Sequence, residues 1–100
     1  MNKPLLPIDE KKIGIFCKKN HIVTLALFGS VLTTHFTSVN DVDVLVKFEI
    51  DHIPTLFEIV DMESELSNIV GRHVDLKTAG DLSPYFRNDV LAKAKIIYGK

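Results

Sequence analysis

Two aspartates, Asp41 and Asp43, stand where packing alone does not explain them. They alternate with valines in Asp41-Val42-Asp43-Val44-Leu45-Val46-Lys47-Phe48. The period of two puts Val42, Val44, Val46 and Phe48 on one face of a strand and both aspartates on the other. Carboxylates about 7 Å apart along one strand repel, and burying either without a partner is costly. A divalent cation removes that conflict. Hard carboxylate oxygens suit Mg²⁺, which takes one or two protein carboxylates together with phosphate oxygens and water. Asp75 repeats the pattern, interrupting Val74-Asp75-Leu76-Lys77-Thr78 on the face opposite Val74 and Leu76. If the two strands are neighbours, three carboxylates converge. Such a set can hold two metal ions about 3.5–4 Å apart for in-line phosphoryl or nucleotidyl transfer. The third carboxylate can also accept the proton of an attacking hydroxyl.

Gly29-Ser30 supplies a second component. A glycine lets the backbone approach a phosphate closely, and a helix start beyond it directs free N–H groups at the anion. The Ser30 hydroxyl can donate to a terminal phosphate oxygen. Each feature alone has an ordinary reading: Asp-x-Asp on a solvated face, Asp-x-Lys on the wet side of a strand, Gly-Ser in a turn. Their conjunction and order point to a metal-bound nucleoside triphosphate.

The elements that must position these residues follow from pattern and punctuation. Asp9 is placed to cap a helix with the stripe Ile13, Phe16 and Cys17, ended by Asn20-His21. Ile22 to Phe28 reads as a strand closed by Gly29-Ser30. Residues 31–40, rich in Thr, Ser and Asn, begin with a short helix at most and end as a loop. After the 41–48 strand, Pro54 suits a first helical turn, and Leu56, Ile59, Val60, Leu66, Ile69 and Val70 form a stripe that Gly71 stops. The strand from Val74 to Thr78 comes next. Ser83-Pro84 then opens a last helix with Phe86, Val90, Leu91, Ala94 and Ile97 inward. The expected fold is therefore α+β in two layers, a small mixed sheet with helices packed on one face. The other face stays partly open, suited to pairing with itself or with a partner. No repeat or linker divides the chain, so residues 1–100 read as one domain.

Composition narrows the function classes. The chain is 46% apolar and 25% charged with a net charge of -1, which gives no electrostatic footprint for strong nucleic-acid binding. Cys17, the single cysteine, reads as a small core residue, and one cysteine fits a reducing compartment. The proline-marked opening does not read as a signal peptide, and no apolar run approaches a membrane span, so a cytoplasmic location is expected. His21, His52 and His73 are dispersed along the chain and show no metal-ligand spacing with a cysteine. Glu58, Asp61, Glu63 and Glu65 read as the solvated side of their helix.

Together these motifs resemble the DNA polymerase β-like nucleotidyltransferases, specifically their minimal bacterial and archaeal members. The resemblance is carried by Leu27-Phe28-Gly29-Ser30, a ten-residue gap, Asp41-Val42-Asp43-Val44-Leu45-Val46, then Val74-Asp75-Leu76 and the tail from Leu82 to Tyr98. It spans nearly the whole chain. It implies Mg²⁺-dependent transfer of AMP from ATP to an acceptor hydroxyl, with release of pyrophosphate. By the same resemblance Asp41 and Asp43 bind metal, Asp75 binds metal or acts as base, and Gly29 and Ser30 hold the triphosphate. Small members are often antitoxins that attach AMP to a tyrosine of an all-helical HEPN-domain toxin. One segment departs from the pattern: family members follow Gly-Ser with basic residues and a glycine, whereas this chain has Val31-Leu32-Thr33-Thr34-His35-Phe36. Asn40 stands where a serine is common, and His35 and Lys47 are the candidate substitutes for the missing cations. The departure motivates a second reading, in which the same fold neutralises a partner by complex formation alone. A transferase acting on RNA or a small molecule ranks behind both, since little chain is left for an acceptor domain.

Overall fold

The computed structural model of the chain describes residues 8–33 and 41–99, so the readings of His35, Asn40 and the 34–40 loop lie outside the described residues. Helix α1 (Glu10–Lys19) starts where the Asp9 carboxylate accepts the backbone N–H groups of Lys11 and Lys12, both at 3.1 Å. It buries Ile13, Phe16 and Cys17, as their spacing requires. Strand β1 (Ile22–Phe28) runs into a 3₁₀ turn, Gly29–Leu32, and β2 spans Val42–Phe48. Helix α2 (Leu56–Val70) opens on a reciprocal cap between Thr55 and Glu58 and ends on Gly71, whose φ of 75° is the left-handed cap geometry glycine adopts freely. Strand β3 (Val74–Lys77), a 3₁₀ turn (Ala79–Asp81), helix α3 (Arg87–Lys93) and strand β4 (Lys95–Tyr98) complete the order.

The four strands form one mixed sheet in the order β3-β2-β1-β4. β1 is antiparallel to both β2 and β4, while β2 and β3 are parallel and joined through α2. Val42, Val44, Val46 and Phe48 join Leu25, Leu27, Val74 and Leu76 in a core closed by Ile13, Phe16, Met62, Leu66 and Val70 of α1 and α2. The alternation along β2 is thus resolved as expected: valines into the core, aspartates to the other face.

Several expectations change. The tail does not continue as helix. The chain leaves the helical region at Ala94 (ψ 138°), and Lys95–Tyr98 pairs with β1. A β-branched Ile96-Ile97 pair bounded by Gly99 fits an edge strand better than a last helical turn. The stripe of α2 is also narrower than read. Met62, Leu66 and Val70 make the buried row at spacing four, with Ile59 and Ile69 partly buried, whereas Leu56 and Val60 are 77% and 55% exposed. Finally, Glu63 is not on the solvated side. Its Oε2 accepts the Leu76 N–H at 2.7 Å, and the Ser67 hydroxyl accepts the Val74 N–H at 2.9 Å. These are the outward amides of the edge strand β3, so α2 side chains satisfy a row that would otherwise be open.

Candidate active site

The parallel register of β2 and β3 sets Val42 beside Val74 and Asp43 beside Asp75, so the two carboxylates come from paired positions on one face. Asp41 lies just before β2, and the Val42 N–H donates to the His73 carbonyl at 2.8 Å, which locks that end of the strand to the start of β3. On the other side of β2, Asp43 is the cross-strand partner of Phe28, so Gly29 begins the turn directly beside the Asp43 carboxylate. The fit is tight. A Cβ added to Gly29 would lie 2.5 Å from Asp43 Oδ2, and Gly29 has a φ of 78°. Glycine is needed here twice, for its backbone conformation and for the space the carboxylate occupies. The turn after it is closed by Ser30, whose carbonyl accepts the Thr33 N–H at 2.9 Å and the Thr33 hydroxyl at 2.8 Å. It is a single 3₁₀ turn in place of the helix start expected from the sequence.

Electrostatics mark Asp43 as the centre of the group. Its carboxyl is held above the ordinary range, first because it is partly withdrawn from water, then because Asp75 and Asp41 repel its charge; Lys77 opposes the shift. Asp75 is paired with Lys77 Nζ at 3.3 Å, and Asp41 with His73 Nδ1 at 3.3 Å. The three carboxylates share a face but are not drawn together: among the described residues, only a different trio closes to within 4.8 Å.

The sequence reading placed all five candidate residues on this surface. It missed Lys77. That residue sits two positions after Asp75 on the same strand face, so the signal was present in the Asp-x-Lys spacing but read as a wet surface. His73 is the partner of Asp41. Lys47, proposed as a substitute cation, lies four residues beyond Asp43, about 13 Å along the strand. Cys17 is fully buried and its thiol is pushed up to about 12 by that burial, which agrees with a core role. A cavity of about 1030 Å³ lies toward the other end of β2 and β3, lined by residues including Leu45, Lys47, Ile59, Glu63, Lys77 and Leu91. None of the three aspartates lines it.

A mixed sheet that carries paired-strand aspartates beside a glycine turn is the fold of the polymerase β-like nucleotidyltransferases, and this protein is an enzyme of that class. Residues 10–100 match the family described as Polymerase beta, Nucleotidyltransferase, and the chain belongs to it. It is 30% identical over 84 residues to "Putative protein adenylyltransferase MJ1379" of Methanocaldococcus jannaschii, covering 83% of this chain and 84% of that protein. A second M. jannaschii protein of the same description is 26% identical over 85 residues, covering 85% of this chain and 89% of its own length. Among solved structures, one described as "Structure of putative minimal nucleotidyltransferase" superposes with a TM-score of 0.69 at 28% identity, with 85% of each chain covered. A toxin–antitoxin complex with AMP-PNP gives a TM-score of 0.73 at 20% identity, over 93% of this chain and 75% of that one. A tri-AMPylated Shewanella oneidensis HEPN toxin bound to an MNT antitoxin gives 0.64 at 20% identity, over 91% and 70%. The fold is shared with chains that form such complexes.

Proposed function

We propose that this chain is a single minimal domain that transfers AMP from ATP to a hydroxyl of a partner protein, a tyrosine of a HEPN-type toxin, and so acts as its antitoxin in the cytoplasm. The observation that carries the proposal is the juxtaposition of Asp43 with the Gly29 backbone on one side and Asp75 on the other. In this reading Gly29 and Ser30 seat the triphosphate, Asp41 and Asp43 are metal ligands, and Asp75 is a further ligand or the base for the acceptor hydroxyl. The residues present fit Mg²⁺: three carboxylates offer oxygen donors from one face, and Asp43, partly withdrawn from water beside Asp75 and Asp41, carries a charge that a cation would relieve. When bound, the metal supplies charge neutralisation on the triphosphate and a template for in-line displacement. The chain's own residues do the rest. The Gly29 turn brings backbone to the phosphates, the paired register fixes the carboxylates, and Lys77 adds a positive charge beside Asp75. The adenylyltransferase descriptions of the relatives and the antitoxin complexes among the structural neighbours support this acceptor class.

The second reading, neutralisation by binding alone, is favoured by the uncharged Val31-Leu32 in the turn after Gly29-Ser30. One comparison separates the two. The chain is incubated with a HEPN toxin, ATP and Mg²⁺, and the toxin is weighed by mass spectrometry. The proposal expects a gain of one or more AMP units on tyrosine that requires Mg²⁺ and disappears with Asp43→Asn. Neutralisation of the toxin by Asp43→Asn, without any mass gain in the wild type, would overturn it in favour of the binding reading.

A further inference from the structure

The three histidines that looked dispersed in the sequence are not all dispersed in space. His21 sits in the turn between α1 and β1, with its backbone in the left-handed region at φ 56°, and donates its position to the sheet through its carbonyl, which accepts the Glu49 N–H at 2.9 Å. Glu49 follows β2, and the His52 N–H donates to the Glu49 carbonyl at 3.0 Å, closing residues 49–52 as a β-turn. That turn brings positions one and four together. The outcome is a trio: His21 Nδ1 lies 3.0 Å from Glu49 Oε2, and the His21 and His52 rings stack with centroids 3.7 Å apart at 14°. One ligand atom from each residue falls within 4.8 Å of the other two. Among the described residues this is the only such group of His, Cys, Asp and Glu side chains.

We infer that His21, Glu49 and His52 form a binding site for a borderline transition-metal dication, Zn²⁺ in particular, separate from the aspartates. Two imidazoles and one carboxylate are a recurrent zinc donor set that leaves a fourth position for water. Imidazole nitrogen also selects against Mg²⁺, which prefers oxygen alone. Ligand atoms held about 2.1 Å from one tetrahedral ion sit about 3.4 Å apart, so the trio must contract. Stacked rings aim their nitrogen lone pairs side by side, so the His21–His52 stack must also open for both to face one ion. The His21 and Glu49 side chains are about half exposed and His52 is exposed, which leaves room for that rotation. The backbone anchors are already in place through the hydrogen bonds at Glu49 and His52. Counting along β2, the trio lies about 20 Å from Asp43 at the opposite end of the strand. The metal would therefore tie the α1–β1 turn to the β2–α2 connection and would leave the nucleotide face untouched.

The test is calorimetric titration of the tag-free full chain with Zn²⁺ in excess Mg²⁺, repeated with Asp43→Asn, His52→Gln and His21→Asn. Asparagine tolerates a left-handed backbone, so His21→Asn removes the imidazole with little strain. His52 is exposed in a turn, so His52→Gln preserves the fold, which cooperative unfolding verifies. The inference expects one Zn²⁺ per chain in the wild type and in Asp43→Asn, and affinity at least about tenfold weaker in both histidine variants. It also expects a Co²⁺ complex whose visible absorption is lost with His52→Gln. Zinc uptake that survives both histidine changes, uptake lost in Asp43→Asn, or no stoichiometric uptake by the wild type each overturns it.

Discussion

Replacing Gly29 by alanine tests the central contact of the site, because the structure separates two costs that a double-mutant cycle can measure. The first is conformational: Gly29 has a φ of 78°, and an alanine held there costs about 1–2 kcal/mol. The second is steric. The new Cβ would meet Asp43 Oδ2 at 2.5 Å and Asp43 Cγ at 3.3 Å, while Asp43 Cβ stays at an ordinary 3.5 Å. The Asp43 carboxylate must therefore rotate away, and leaving its rotamer costs about 0.5–1.5 kcal/mol. Together the expected loss is about 2–3 kcal/mol, which lowers the Tm of a domain this size by on the order of 10 °C or more. The same Gly29→Ala change in an Asp43→Ala background keeps the backbone cost but removes the clash, so its loss should shrink by about 1 kcal/mol. Urea unfolding of the four proteins measures this directly. A further consequence is functional: the displaced carboxylate should weaken the stabilisation that Mg²⁺ and ATP together give the wild type. If Gly29→Ala costs under about 0.5 kcal/mol, or costs the same with and without Asp43, the proposed packing of glycine against carboxylate is wrong.

Asp43→Asn should raise the Tm of the protein without added metal by a few degrees near neutral pH, because it removes a charge that is partly withdrawn from water and repelled by Asp75 and Asp41. The sign follows from proton linkage. A carboxyl held above its ordinary value binds protons more tightly in the folded state, so wild-type stability falls as pH rises from the usual carboxylate range through the raised value. The advantage of the variant should therefore be absent in acid, appear across that window, and be reversed by Mg²⁺ with ATP; thermal melts from acid to neutral pH that run parallel would contradict it. Glu63→Ala should cost about 1–3 kcal/mol by stranding the Leu76 amide under α2, and Glu63→Gln, which keeps an acceptor, should recover most of that loss. Faster hydrogen exchange at Leu76 in Glu63→Ala accompanies this expectation, and unchanged exchange would remove its basis.

Much of the architecture was legible along the chain because it depends on local period and punctuation. The alternation in Val42 to Phe48 dictated which face the aspartates take, and Asp9 and Gly71 marked helix boundaries through their own side-chain or backbone chemistry. Gly29, Ser30, Asp41, Asp43 and Asp75 could be chosen as a group from residue type and order, since few other roles need that combination. The tail was misread because its apolar spacing is compatible with a helix. Only the free edge of β1 decided that Lys95–Tyr98 would be a strand. Glu63 looked solvent-facing by helical period, and its role appeared once β3 presented unpaired amides to it. Lys77 acquired significance from the parallel register that sets Asp75 beside Asp43. His21 and His52 are 31 residues apart, and no local signal links them; a left-handed turn at one and a β-turn at the other bring their rings into contact. Local chemistry thus settles which residues are candidates, while pairing between distant strands settles which of them meet.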